Sequence, residues 1–195
     1  MTDGNKETVR AFIACSLDEV TRERIRELCV KLKKLDTGIK WVRPEAMHLT
    51  LRFLGDIGED EVELAGEAMQ EAASGVSPVR IEVGGYGTFP VGKKPRVVWL
   101  GLKKGGPELY SIFERLEDAL QAGGLDPADK PFRPHLTLGR VKSPRGVNRA
   151  LKALEELAEG SFGEFTAGEL VLFKSELHPS GAVYTPLKKV ELGGE

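Results

Sequence analysis

The sequence predicts an α+β protein whose antiparallel sheets are covered by helices on one side. Three observations predict it. Short apolar segments rich in β-formers alternate with segments of helical period. The order of strands and helices recurs in the second half of the chain. The tetrapeptide His-Leu-Thr-Leu occurs twice, at residues 48–51 and 135–138, about half the chain apart.

Residues 9–17 form an apolar run that reads as a buried strand. Residues 18–34 carry apolar positions at Val20, Ile25, Leu28, Val30 and Leu32 among charges, an amphipathic helix with Asp18 as N-cap. Trp41-Val42 and residues 48–54 read as strand, ending at Gly55-Asp56. Residues 59–73 are a second helix, closed by Ser74-Gly75. Residues 79–83 and 96–102 read as strands, with the Gly- and Pro-rich stretch 84–95 expected as a loop between them. In the second half, residues 107–122 are a helix ended by Gly123-Gly124. Residues 133–141 follow as a strand and 147–159 as another helix. Residues 168–177 and 182–192 look like a hairpin turning at Pro179-Ser180-Gly181.

The bulk numbers suit one domain of 195 residues, or two small lobes sharing a core. With 41% hydrophobic and 30% charged residues the composition is globular rather than disordered. A formal charge of -2 argues against a protein that coats long nucleic acid, yet allows a short end to enter a locally basic cleft. The clusters Lys93/Lys94/Arg96, Lys142/Arg145/Arg149 and Lys31/Lys33/Lys34 each read as solvated surface. Cys15 and Cys29 offer neither a disulfide framework nor metal-ligand spacing. No stretch reaches the length of a membrane span, and the polar start Met1–Lys6 is no signal peptide. A reduced, cytoplasmic setting without membrane contact is the expectation.

The repeated tetrapeptide carries the chemistry. A chance second copy has odds of roughly one in several hundred, from average residue usage. Each copy is preceded by an Arg-Pro pair, Arg43-Pro44 and Arg133-Pro134. In a strand, His48 and Thr50 share one face while Leu49 and Leu51 point into a core; His135 and Thr137 divide likewise from Leu136 and Leu138. One copy alone would be an ordinary half-buried strand. Two copies on strands related by a pseudo-two-fold axis would place two His-Thr pairs across one cleft. Paired imidazoles suit in-line cleavage of a phosphodiester: one neutral ring takes a proton from water, and one imidazolium gives a proton to the leaving oxygen. The threonine hydroxyls can donate to the non-bridging oxygens. The scheme requires no metal or other cofactor, and two histidines give thin support to zinc, even with His178 offered as a third ligand.

The doubled motif resembles the signature of the two-histidine (2H) phosphoesterase superfamily. The wider likeness is to its RNA 2′,3′-cyclic phosphodiesterases, formerly named 2′-5′ RNA ligases. It extends over Arg10–Ala14, His48–Gly55, Pro95–Leu100, Phe132–Arg140 and Ser175–Tyr184, nearly the whole chain. The resemblance implies one bilobal domain over residues 1–195, with two pseudo-two-fold-related antiparallel sheets forming a V-shaped cleft. It implies opening of a terminal 2′,3′-cyclic phosphate to a 2′-phosphate, with a reversible 2′-5′ ligation as the mechanistic counterpart. By that analogy His48 protonates the departing 3′ oxygen and His135 activates water. Thr50, Thr137 and Arg140 bind the phosphate. The partners are RNA ends or small cyclic phosphate nucleotides, and no obligate protein partner is inferred.

Strand parity refines the arginines. Arg52 has the parity of His48 and Thr50, so it is expected to face the cleft as a phosphate ligand. Arg140 has the wrong parity against His135 and Thr137, so an irregularity is expected at Gly139. Phe53, Tyr86, Phe89 and Phe132 are candidates for stacking on a terminal base, with Phe89 favoured for its Gly- and Pro-rich surroundings. Two other functions fit the same motifs. One is a phosphodiesterase for a cyclic nucleotide or ADP-ribose cyclic phosphate; the other is a nucleotide-binding module without turnover.

Overall fold

A computed structural model describes residues 7–92, 94–157, 160–179 and 181–193. The order is β1 (Val9–Ser16), α1 (Glu19–Lys33), β2 (Ile39–Trp41), a 3-10 turn (Pro44–Ala46), β3 (His48–Ile57), α2 (Glu59–Ala73) and β4 (Val79–Phe89). Then come β5 (Val97–Lys104), α3 (Gly106–Ala122), β6 (Leu136–Val141), α4 (Val147–Leu157), β7 (Gly163–Ala167), β8 (Glu169–His178) and β9 (Gly181–Glu191). The first helix starts where Asp18 accepts the amide hydrogen of Thr21 at 2.8 Å. The second starts where Glu61 accepts the Gly58 amide, also at 2.8 Å. Among the described residues no helix is long and apolar enough to cross a membrane.

Two antiparallel sheets result, ordered β3-β1-β8-β9 and β2-β6-β5-β4-β7. Apart from the shorter β2 and β7 and the final β9, each half runs strand, helix, motif strand, helix, strand: β1-α1-β3-α2-β4 and β5-α3-β6-α4-β8. In each half the motif strand pairs with the first strand, β3 with β1 and β6 with β5. The last strand goes to the other sheet, β4 beside β5 and β8 beside β1. The cores β3-β1-β8 and β6-β5-β4 are therefore equivalent, and each sheet needs both halves of the chain. The sheets approach each other where β3 touches β6.

Leu49, Leu51, Leu136 and Leu138 are all buried, as the alternation requires. At about 1.5–3 kcal/mol per buried side chain, a one-residue slip of either motif strand would expose two leucines. This cost holds the histidines in register.

Three segments differ from the sequence expectation. The stretch 84–95 is not all loop: β4 continues through Phe89, because a bulge at Gly84-Gly85, with Gly85 at φ 72°, carries the ladder past the glycines. The five-residue β7, with Gly163, Phe165 and Ala167 buried, is too short to stand out in sequence. Residues 133–135 precede β6 rather than belonging to it. The expected end of the helix at 158–159 and the turn residue Ser180 lie outside the described residues.

Candidate active site

His48 opens β3 opposite Ser16 of β1, and Thr50 sits opposite Ala14. The Phe12 ring stacks on the His48 imidazole at 4.5 Å between centroids, and Tyr184 of β9 meets its edge at 5.1 Å. Phe12 pairs directly with Phe173 of β8, whose ring lies 6.3 Å from the imidazole. Three strands thus orient one histidine. The Ala46 backbone, two residues upstream, hydrogen-bonds the ring.

His135 is held in a matching way. Its Nδ1 lies 2.6 Å from the carbonyl oxygen of Arg133, again two residues upstream. A carbonyl only accepts, so Nδ1 carries the proton and Nε2 is left for proton transfer. Phe89 meets this ring edge-on at 5.0 Å, and Trp99 lies at 6.2 Å. Phe89 also packs on Trp99 at 5.1 Å and lies under the Arg133 guanidinium at 5.9 Å. The indole lies across Gly87, where a Cβ would come within 2.2 Å of its ring. The glycine is what lets Trp99 lie flat beside His135.

Burial pushes the His48 imidazole down to about 4, against the favourable Ala46 hydrogen bond, and the charge of His135 lowers it further. Burial also holds His135 below its ordinary value, with Arg140 lowering it further. Each imidazole is therefore neutral at pH 7 in the free protein. The influence of His135 on His48 places the two rings on one electrostatic centre. Arg140 belongs to it as well, because its charge also reaches Tyr184 of the opposite sheet.

Both motif strands carry a bulge directly after the threonine. On β3 the pairs Ala14↔Thr50 and Ile13↔Arg52 leave Leu51 over; on β6 the pairs Trp99↔Thr137 and Val98↔Gly139 leave Leu138 over. The expected irregularity thus falls one residue before Gly139. Because Trp99 and Val97 share a face of β5, Thr137 and Arg140 opposite them share it too. Arg140 is exposed on that face.

The same device overturns the expectation for Arg52. The Leu51 bulge inverts parity, so Arg52 turns to the helix layer and Phe53 takes the cleft face opposite Phe12. The Arg52 guanidinium bonds the carboxylate of Glu117 on α3 and the carbonyls of Phe53 and Asp126. Glu117 also accepts the Ala128 amide at 2.9 Å. Arg52 ties β3 to α3 and faces away from the cleft.

Among the base-stacking candidates, Phe53 is 63% exposed and Phe89 borders His135. Phe132 instead stacks on Phe113 of α3 at 4.6 Å, and Tyr86 is half-buried against the core. His178 is exposed at the end of β8. Among the described residues no group of three or more His, Cys, Asp or Glu side chains is placed to hold a metal ion. Sequence reasoning missed Phe12, Trp99 and Tyr184 as neighbours of the histidines. Their signal was present only as shared parity, Phe12 with Ser16 and Trp99 with Gly101, once the register is known.

The profile of LigT-like phosphoesterases matches the chain twice, over residues 16–99 and 100–184, one motif in each copy. An RNA 2′,3′-cyclic phosphodiesterase of Methanothermobacter thermautotrophicus is 36% identical over 185 residues, covering 94% of this chain and 99% of the relative. One of Aquifex aeolicus is 34% identical, covering 95% and 98%. A crystal structure from Thermus thermophilus aligns with a TM-score of 0.77 at 32% identity, covering 95% of this chain and 99% of that one. The E. coli LigT complex with 3′-AMP aligns with a TM-score of 0.73 at 26% identity, covering 96% and 100%. The chain belongs to the LigT-like phosphoesterase family.

Proposed function

We propose that this protein hydrolyses RNA 2′,3′-cyclic phosphate ends to 2′-phosphate ends, working as one unit of two lobes in the cytoplasm. The observation that carries the reading is the pair of His-Thr faces, each imidazole anchored by the backbone two residues upstream. The relatives of Methanothermobacter and Aquifex, matched over almost their full length, bear the name of this activity. RNA ends are accordingly the partner.

His135 accepts a proton from water through Nε2, and the oxygen attacks phosphorus. The bond to the 3′ oxygen breaks, and His48 gives that oxygen its proton, leaving a 2′-phosphate and a 3′ hydroxyl. His48 is neutral in the free protein, and the anionic phosphate bound between the rings draws a proton onto it. Thr50, Thr137 and Arg140 donate to the non-bridging oxygens, whose charge shifts in the transition state. Attack on the same phosphorus by a 5′ hydroxyl in place of water, again expelling the 3′ oxygen, would join two ends through a 2′-5′ link. Phe53 and Phe89 offer ring faces to the terminal base.

The test is hydrolysis of a short RNA ending in a 2′,3′-cyclic phosphate, with EDTA present, by the wild type, His48→Ala and His135→Ala. A 2′-phosphate product from the wild type, lost in each variant, is expected. Wild-type binding without turnover at any pH would move the function to a nucleotide-binding module.

A further inference from the structure

Arg140 has a neighbour that the motifs do not mark. On β2, the edge strand of its sheet, Lys40 is paired directly with Arg140. Directly opposed residues of an antiparallel pair project from the same face, so Lys40 joins Arg140 and Val97 on the cleft side. Lys142 follows two residues after Arg140, with its amide still bonded to the Gly38 carbonyl at 2.7 Å. All three cations are exposed. Among the described residues none has a carboxylate within salt-bridge distance. Elsewhere on the same two sheets, Arg80, Lys104, Lys174, Lys188 and Lys189 each have one.

Like charges directly opposed across a strand pair are unfavourable. With 30 acidic residues in the chain against 28 basic ones, partners are not scarce. An uncompensated pair that begins at Arg140 and leads away from the histidines is a site for a second anion. From Thr137 to Arg140 is about 7 Å along β6, one residue being taken up by the bulge, and Lys40 lies about 5 Å to the side. That offset is on the order of one nucleotide step from the reacting phosphate.

We propose that Lys40 binds the phosphate joining the terminal nucleotide to its neighbour, so that the site prefers an RNA end to a single cyclic nucleotide. The proposal rests on the cyclic phosphodiesterase reading above and names the part of the substrate that Lys40 recognises.

The experiment compares hydrolysis of adenosine 2′,3′-cyclic phosphate with that of the dinucleotide ApA ending in the same group, for the wild type, Lys40→Gln and Lys40→Arg. Lys40→Gln is expected to raise the KM for the dinucleotide, relative to that for the mononucleoside, about three- to tenfold. It should also flatten the slope of log kcat/KM against log salt for the dinucleotide by about 0.7. Lys40→Arg should restore both. An unchanged KM ratio in Lys40→Gln overturns the proposal. If the wild type turns over neither substrate, the cyclic phosphodiesterase reading fails and the lysine is judged by binding of ApA 2′-phosphate against adenosine 2′-phosphate. A preference for the dinucleotide that Lys40→Gln leaves intact then overturns it, and one that disappears supports it.

Discussion

Phe53 and Arg140 occupy equivalent positions in the two halves of the protein. Each is the third residue after its motif threonine, and each is turned onto the cleft face by a bulge, at Leu51 in one strand and Leu138 in the other. Their partners on the adjacent strand, Phe12 and Val97, are equivalent too. The two-fold symmetry of the backbone therefore presents chemically different groups: an exposed ring on one side and a guanidinium on the other.

That difference separates two kinds of variant. Arg140→Ala should lower kcat and kcat/KM together by about 10²-fold, as loss of a donor to the transition-state oxygens does. Phe53→Ala should leave kcat near the wild-type value and raise KM about tenfold, through loss of stacking on the base. Steady-state kinetics on a cyclic-phosphate dinucleotide decides, and a kcat defect in Phe53→Ala would remove the ring from its assigned place.

Arg52 should behave as a structural residue. It and Glu117 each have only 10% of the side chain exposed. Removing one charge strands the other, which costs about 3 kcal/mol or more. Arg52→Ala should lose that much stability in urea unfolding, while the folded enzyme keeps its kcat. A variant of normal stability that has lost turnover would return Arg52 to the cleft.

The rate should peak on the acid side of neutrality. Catalysis needs one imidazole protonated and one neutral, and kcat/KM reports both in the free enzyme. With His48 near 4 and His135 held below 6.5, the acid limb lies near 4 and the alkaline limb below 6.5. These limbs belong to the coupled pair rather than to single residues. A plateau of kcat/KM extending above pH 8 would contradict the arrangement.

His48 should also make the fold acid-sensitive. Its folded value near 4 lies below the unfolded value near 6.5, so the unfolded chain binds the proton first as pH falls. Above 6.5 the residue has no effect. Stability is lost from there down to about 4, by on the order of 3 kcal/mol. Urea unfolding at pH 7.5 and pH 4.5 should show a smaller drop for His48→Gln than for the wild type; equal drops would refute the sign.

Much of this protein is legible in consecutive residues of its chain. The repeated His-Leu-Thr-Leu predicted two equivalent strands, the burial of Leu49, Leu51, Leu136 and Leu138, and a histidine and a threonine together on the opposite face of each. Asp18 marked the start of the first helix, and Gly123-Gly124 the end of the third. These features are local: alternation, capping and helical period are written in a few consecutive residues. Which arginine turns onto the cleft face is settled by strand pairing. Parity counted along the sequence favours Arg52 over Arg140, and a bulge reverses both, because a bulge exists only against a partner strand. The exchange of β4 and β8 between sheets, and the gathering of Phe12, Phe173 and Tyr184 around His48, are likewise products of pairing between distant segments. Registers between strands far apart in the chain are set by packing the whole core, and no local pattern contains them.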